Sequence, residues 1–427
     1  MLTKTLLILL GLIGLAVPVA AALGWLGLTL QYSDSPMPLH RALGDMVWQT
    51  GTDFLLVAIP MFILLGEILL RSGIAGRMYD GIMKWLGWLP GGLMHANTGS
   101  CALFAATSGS SVATAATIGT VAIPQIEKRG YNEPLFLGTI AAGGTLGILI
   151  PPSINLILYG LLTDTSVPEL YLAGFLPGFM LASLFMVTVI VLCVARPRWG
   201  GEKINVSWGE RIRALPSLLP PLGIFVVVVG SIYAGLATPT EAAALGVVAA
   251  LGLAASNRTL SLPMLRAAVE GTMRTTSMIM LIILAAVFLN FVLSIIGLTQ
   301  ALADFVAGLG LTPMQTMLLL IGVLVVIGCF METLSMLLTT APLITPIVVQ
   351  LGFDPVWFGI LLMVILETAL ITPPIGINLY VVQGVREKGS LTDVMTGAVP
   401  FVITMFAMIA LLLIFPDIAL WLPDLFY

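Results

Sequence analysis

The chain reads as long apolar runs separated by short polar loops. Runs at 6–30, 53–70, 132–163, 170–195, 217–235, 237–255, 267–295, 355–383 and 397–415 approach or exceed the ~20 residues a helix needs to cross ~30 Å of hydrocarbon. Each predicts a membrane-spanning helix. The run 6–30 is too long for the apolar core of a typical signal peptide, and 31–38 carries no clear cleavage site, so it is read as the first transmembrane helix. Two further stretches, 93–125 and 314–350, are long enough to enter and leave, but small polar residues break each in its middle. They predict re-entrant hairpins. The expected fold class is an all-α polytopic membrane protein.

Lys and Arg placement orients the spans. Arg196, Arg198, Lys203, Arg211 and Arg213 share one loop, which is therefore read as cytoplasmic. Counting outward, Arg71, Arg77, Lys84, Lys128, Arg129, Arg258, Arg266, Arg386 and Lys388 also fall inside. The loops left outside are mostly acidic, with Asp164, Glu169, Asp304, Asp354, Asp417 and Asp424. Nine crossings and two hairpins follow, with the N-terminus inside and the C-terminus outside. The two hairpins then open from opposite faces.

An internal repeat sharpens this plan. Gly73 and Asp80 match Gly297 and Asp304, 224 positions on; Pro124, Gly130 and Pro151-Pro152 match Pro346, Gly352 and Pro373-Pro374, 222 on. Asn155 matches Asn378, and Gly174–Pro177 matches Gly397–Pro400, 223 on. Copies entering from opposite faces form an inverted repeat, a common architecture of secondary transporters. The chain divides into an N-terminal scaffold helix and loop (1–52), a first repeat (53–200), connecting scaffold helices (201–266) and a second repeat (267–427). The hairpin 93–125 and broken helix 132–163 belong to the first repeat, and 314–350 and 355–383 to the second.

Composition agrees with lipid as the main solvent: 59% of residues are hydrophobic, 9% are charged, and mean hydropathy is +1.10. The net charge of -4 comes with no basic patch, which argues against a nucleic-acid partner. Cys101, Cys193 and Cys329 lie inside apolar runs without metal-ligand spacing, and His40 and His95 are too few for a histidine cluster. There is no Gly-Lys-Ser phosphate loop, no His-Glu-x-x-His and no Gly-x-Ser-x-Gly elbow. The chain does not read as an enzyme.

Two Pro-Pro pairs carry the candidate chemistry. Pro151-Pro152 and Pro373-Pro374 remove backbone donors in mid-membrane and must break their helices. The carbonyls they free, around Gly147 to Ile150 in the first copy, need partners in lipid. A desolvated cation is one partner, and neighbouring Ser and Thr hydroxyls are another. The hairpin tips, Thr107-Ser108-Gly109-Ser110-Ser111 and Gly328-Cys329-Phe330-Met331-Glu332-Thr333, add hydroxyls at the same depth. In the repeat register Ser110 faces Glu332 and Ser111 faces Thr333. Each site is expected to join a tip to the broken helix of the same repeat.

Intramembrane acids are costly and mark function by default. Glu241 follows Thr238-Pro239-Thr240 and reads as a helix cap, and Glu67 reads as the local partner of Arg71. Glu332 either fixes its hairpin or binds cargo. Glu367 either tunes the second break or bonds nearby backbone.

At these residues the chain resembles the large membrane subunit of tripartite ATP-independent periplasmic (TRAP) transporters, the DctM-like family. The likeness rests on Ser108–Pro124 (SGSSVATAATIGTVAIP), Ile150–Gly160 (IPPSINLILYG), Pro239–Gly246 (PTEAAALG) and Gly328–Pro346, and extends over essentially the whole chain. The family usually has Phe-Met-Asp where this chain has Phe330-Met331-Glu332. The resemblance implies an elevator of the ion-transporter superfamily, with a mobile domain of hairpins and broken helices on a fixed scaffold. It implies a small four-helix membrane subunit and a periplasmic substrate-binding protein as partners, in the bacterial inner membrane. It implies sodium (Na+) as coupling ion and no other cofactor. The first sodium site would involve Ser108, Ser110, Gly147, Ile150 and Pro152, and the second Gly328, Thr333, Thr372 and Pro374. Cargo would sit near Ser111, Asn155, Glu332 and Asn378. Family cargo is a dicarboxylate, sialic acid or another sugar acid, or the zwitterion ectoine. The alternative, a cation/proton antiporter of similar plan, would want intramembrane Asp pairs where this chain has Ser, Thr and Asn.

Overall fold

The computed structural model describes residues 2–15, 17–202, 206–386 and 388–427, so Lys203, used above to orient the chain, lies outside the described residues. The regular elements are helices. The chain opens with α1 (Leu2–Gly14), α2 (Val19–Asp34), α3 (Leu43–Gly51), α4 (Ala58–Arg71) and α5 (Ile74–Leu86). There follow α6 (Leu93–Ser108), α7 (Ser111–Ala122), α8 (Gln125–Arg129), α9 (Glu133–Leu149), α10 (Ile154–Thr163) and α11 (Val167–Ala195). Next come α12 (Trp208–Tyr233), α13 (Pro239–Ser256), α14 (Leu262–Ile295) and α15 (Leu298–Gly308). The last six are α16 (Pro313–Gly328), α17 (Thr333–Gln350), α18 (Pro355–Ile371), α19 (Ile377–Val385), α20 (Leu391–Ile414) and α21 (Asp417–Phe426).

Among the described residues, seven helices are long and apolar enough to cross a membrane: Phe54–Arg71, which contains α4, then α11, α12, α13, α14, α17 and α20. The pair α9–α10, bent by 43°, makes an eighth. The protein is thus a multi-pass membrane protein.

The expected single helix over 6–30 is corrected. Pro18 has no N–H to give and its ring clashes with the preceding turn, so α1 stops at Gly14 and α2 starts at Val19. The first helix folds back, and Lys4 Nζ stands 2.7 Å from Asp34 Oδ2. Both ends of this run therefore lie at one face, not on opposite faces. The short helices α3, α5, α15 and α21 were expected as loops.

Caps set most helix starts. Asn132, Ser153, Ser166, Ser261 and Asp354 accept bonds from first-turn N–H groups. Ser207/Glu210, Thr238/Glu241, Thr312/Gln315 and Ser390/Asp393 close reciprocal capping boxes. Such caps contribute about 1 kcal/mol each. Glu241 is thus a cap, as read from sequence.

The helices pack as two groups. In one, α2 lies on α14, α4 on α13 and α14, and α12 on α13 and α5. The other is built around α9, buried throughout from Leu135 to Leu149 and packed on α6, α7, α18 and α20. The α9–α20 crossing is backbone to backbone, because a methyl on Gly138 would overlap the Gly397 carbonyl and one on Gly397 the Pro134 carbonyl. Arg386, 7% exposed, fastens one end of this group, lying 2.7 Å from Glu133 Oε1 and 3.0 Å from Asp393 Oδ2. The groups meet where α4 and α5 touch α6 and where α14 touches α17.

The repeat is visible in the backbone. Gly73 and Gly297 are left-handed (φ 68° and 73°) at the starts of α5 and α15, and Gly130 and Gly352 are left-handed too (65° and 90°). The Pro151-Pro152 and Pro373-Pro374 bonds are both cis.

Two tips, two breaks and the candidate site

The first tip is the turn Gly109–Ser110 between α6 and α7. Gly109 is left-handed (φ 60°), which glycine adopts at no steric cost, and Ser110 caps α7 through the Ala113 N–H. Thr114 Oγ1 donates to the Ser110 carbonyl at 2.7 Å and lies 3.0 Å from Ser108 Oγ. The tip is thus folded on its own hydroxyls. It also presses on its break: a methyl on Gly109 would stand 2.9 Å from the Pro152 carbonyl oxygen, and one on Gly147 2.7 Å from Ser111 N.

The second tip is Cys329–Glu332, between α16 and α17. Glu332 caps α17, its Oε2 accepting from Ser335 N at 3.1 Å and Ser335 Oγ at 3.2 Å. Ser110 and Glu332, paired by the repeat register, therefore hold the same post as N-caps. Of the two roles open to Glu332, fixing the hairpin is the one these bonds serve. Gly328 packs on its own repeat, its added methyl falling 2.5 Å from Ala369 Cβ.

The breaks differ in cover. Residues 150–153 are fully buried, whereas Pro373, Pro374 and Ile375 are exposed. Ser153 caps α10 after the first break, and Gly376, left-handed at φ 45°, precedes α19 after the second. Thr372 Oγ1 donates back to the Thr368 carbonyl at 2.6 Å.

A cavity of about 380 Å³ lies where the two helix groups meet. It gathers Ser108, Ser110, Ser111, Asn155, Glu332 and Thr333 from the predicted set. Asn155 Nδ2 and Thr333 Oγ1 are buried without a hydrogen-bond partner, as polar atoms awaiting a ligand would be. Gly147, Ile150, Pro152, Thr372, Pro374 and Asn378 do not line it. A second cavity of about 240 Å³ lies between Gly328–Glu332 and Ile375–Ile377, with Glu332 and Leu370 on the walls of both.

Besides the packing of each tip on its own repeat, two polar bonds of these site residues run between repeats. Ser111 Oγ donates to Glu367 Oε1 at 2.6 Å, joining the first tip to α18. Asn378 Nδ2 donates to the Ala141 carbonyl at 3.2 Å, joining α19 to α9. Asn378 thus bonds inside the α9 group and does not line the main cavity. Glu367 bonds a side chain of the other repeat, a role its position before the break did not reveal.

The far wall of the cavity was not foreseen. It comes from Ile63, Gly66 and Glu67 on α4 and Thr275, Met278 and Ile279 on α14. Glu67 pairs with Arg71 at 2.8 Å, as read from sequence, and its carboxylate lies against Gly271, where a methyl would meet Cδ at 2.7 Å. Gly271 was the available clue to this seat. Among the described residues no group of three or more His, Cys, Asp or Glu could hold a metal ion, so a hard monovalent cation here would rely on hydroxyls and carbonyls.

A family model described as "Tripartite ATP-independent periplasmic transporter, DctM component" matches residues 6–418. A C4-dicarboxylate TRAP transporter large permease protein DctM of Vibrio cholerae is 33% identical, over 98% of this chain and 96% of that one. An ectoine TRAP transporter large permease protein TeaC of Halomonas elongata is 33% identical, over 87% and 86%. Among solved structures, the Alcanivorax borkumensis YdaH transporter shares the fold with a TM-score of 0.64 at 17% identity, over 98% of this chain and 99% of that one.

Proposed function

The chain belongs to the DctM family of tripartite ATP-independent periplasmic transporters, and on that premise we propose that it carries a small organic acid or zwitterion across the bacterial inner membrane, driven by sodium. The observation that carries this reading is the convergence of both tips on one cavity of about 380 Å³ where the two helix groups meet. Two such groups suit an elevator, in which the α9 group, with its re-entrant hairpins and inverted repeats, slides on the α4–α14 scaffold. A pocket of this size suits a small solute.

The first sodium ion is assigned to Ser108, Ser110 and the freed carbonyls of Gly147, Ile150 and Pro152. The second is assigned to Gly328, Thr333, Thr372 and Pro374. Cargo is assigned to the space beside Ser111, Asn155, Thr333 and Glu332, where two buried polar atoms lack partners. Asn378 holds α9 in place beneath it. A small membrane subunit and a periplasmic binding protein complete the system, and the loop of Arg196 and Arg198 faces the cytoplasm.

Uptake into proteoliposomes tests this. The permease, the small subunit and the binding protein should together give uptake with an inward sodium gradient, and none when any one component is left out. Uptake that continues at the same rate with potassium replacing sodium refutes the coupling.

A further inference from the structure

The two tips, alike by repeat, are held differently. Ser111 at the first tip bonds Glu367 of the opposite repeat at 2.6 Å. Glu367 is fully buried and its other oxygen has no partner, so among the described residues Ser111 supplies its one hydrogen bond. In the repeat register Ser111 corresponds to Thr333 and Glu367 to Thr145. Thr333 Oγ1 has no partner, and Thr145 Oγ1 bonds the Ala142 carbonyl of its own helix at 2.6 Å. The cross-link therefore exists once. The first tip also touches its break through Gly109 and Gly147, whereas about 240 Å³ of empty space separates the second tip from Ile375–Ile377.

We propose that Glu367 is a positioning residue that pins the first tip to the second repeat, leaving the second tip as the one that moves to close over its break. Lifting the first tip would strand a buried carboxyl without its donor, one of the costlier losses in a protein interior. Lifting or closing the second breaks no polar bond to another element among the described residues. Only the link between tip closure and transport rests on the transport reading; the pinning itself does not.

Thiol labelling of the purified permease with its small subunit tests this. Cys329, 9% exposed, reports on the second tip once Cys101 and Cys193 are replaced by Ala. Ala106→Cys, at a site 6% exposed, reports on the first tip when all three native cysteines are Ala. In the parent, N-ethylmaleimide should modify Cys329 faster than Ala106→Cys. Glu367→Ala should speed labelling of Ala106→Cys roughly tenfold or more while Cys329 stays within about twofold. Glu367→Gln, whose amide oxygen still accepts from Ser111, should restore the parent rate. Should Glu367→Ala not assemble, Ser111→Ala removes the same bond and should act alike. Equal labelling of both probes in the parent, no change at Ala106→Cys, or an equal rise at both probes would overturn the pinning. Replacing potassium chloride by sodium chloride should slow Cys329 alone. A flat sodium response beside a positive Glu367 response would overturn sodium coupling and leave the pinning intact.

Discussion

Replacing Gly147 by alanine adds one methyl where the first tip meets the first break. That carbon would stand 2.7 Å from Ser110 C, 2.7 Å from Ser111 N and 2.8 Å from Ser110 O. Ordinary carbon contacts sit at about 3.5–4.0 Å, so the tip must retreat by roughly 0.7 Å or more. All three atoms are backbone, and no rotamer change relieves them. Overpacking of this kind costs about 1–3 kcal/mol. At about 1.4 kcal/mol per factor of ten, that is a roughly five- to 150-fold weakening of whatever requires the tip to be seated. If sodium bridges tip and break, the half-saturating sodium concentration for uptake should rise by that factor. The assay is a sodium titration of uptake in proteoliposomes carrying both partners. Gly143→Ala provides a comparison away from the tip, because its methyl would meet the Cys101 side chain of α6, Sγ at 2.8 Å and Cβ at 3.0 Å. Gly24→Ala in α2 meets nothing within 4 Å and should leave the curve unchanged. A Gly147→Ala sodium curve that overlays the parent would refute both the contact and the site.

Three further outcomes follow from the packing. Gly397→Ala should lower the thermal midpoint sharply or prevent assembly, since its methyl overlaps the Pro134 backbone, whereas Gly252→Ala, with open space around it, should be neutral or up to about 1 kcal/mol stabilising. Asn378→Ala should cost about 0.5–1.5 kcal/mol by thermal unfolding, because it removes the buried hydrogen bond from α19 to the Ala141 carbonyl of α9; Asn155→Ala, which breaks no hydrogen bond, should leave the midpoint near the parent yet abolish uptake. Arg386→Ala should lower the midpoint by the equivalent of about 1–2 kcal/mol, discounted because Glu133 and Asp393 remain partly in water; Arg386→Lys should recover part of this at most, since one ammonium cannot reach both acids as the guanidinium fork does.

What the sequence disclosed and what it withheld divide along the range of the forces involved. Proline acts on its own helix, so both breaks were legible, and so were the tips, where Gly and Ser answer local needs for a turn and a cap. Glu241 and Glu67 were legible for the same reason, each bonding within four residues of itself. The run 6–30 misled because summed hydropathy measures length, whereas Pro18 set direction. The amphipathic α5 and α15 left no such signal because neither is a continuous apolar run. Contacts between repeats left no local trace. Ser111 reaches Glu367 across 256 positions, and Asn378 reaches Ala141 across 237. Gly144 of α9 lies beside both, where a methyl would stand 3.1 Å from Asn378 Nδ2 and 3.1 Å from the Ser111 carbonyl oxygen. The inequality of Ser110 and Glu332 was visible in sequence as a break in symmetry, but its meaning was not. Both residues cap a helix, and the Glu does so with a longer arm. The larger inequality lies one residue on and one helix away. Thr333 stands where Ser111 does, and Thr145 stands where Glu367 does, and the threonine pair makes no bond between repeats. A duplicated chain has in this way kept two equivalent tips in sequence while fastening only one of them in space.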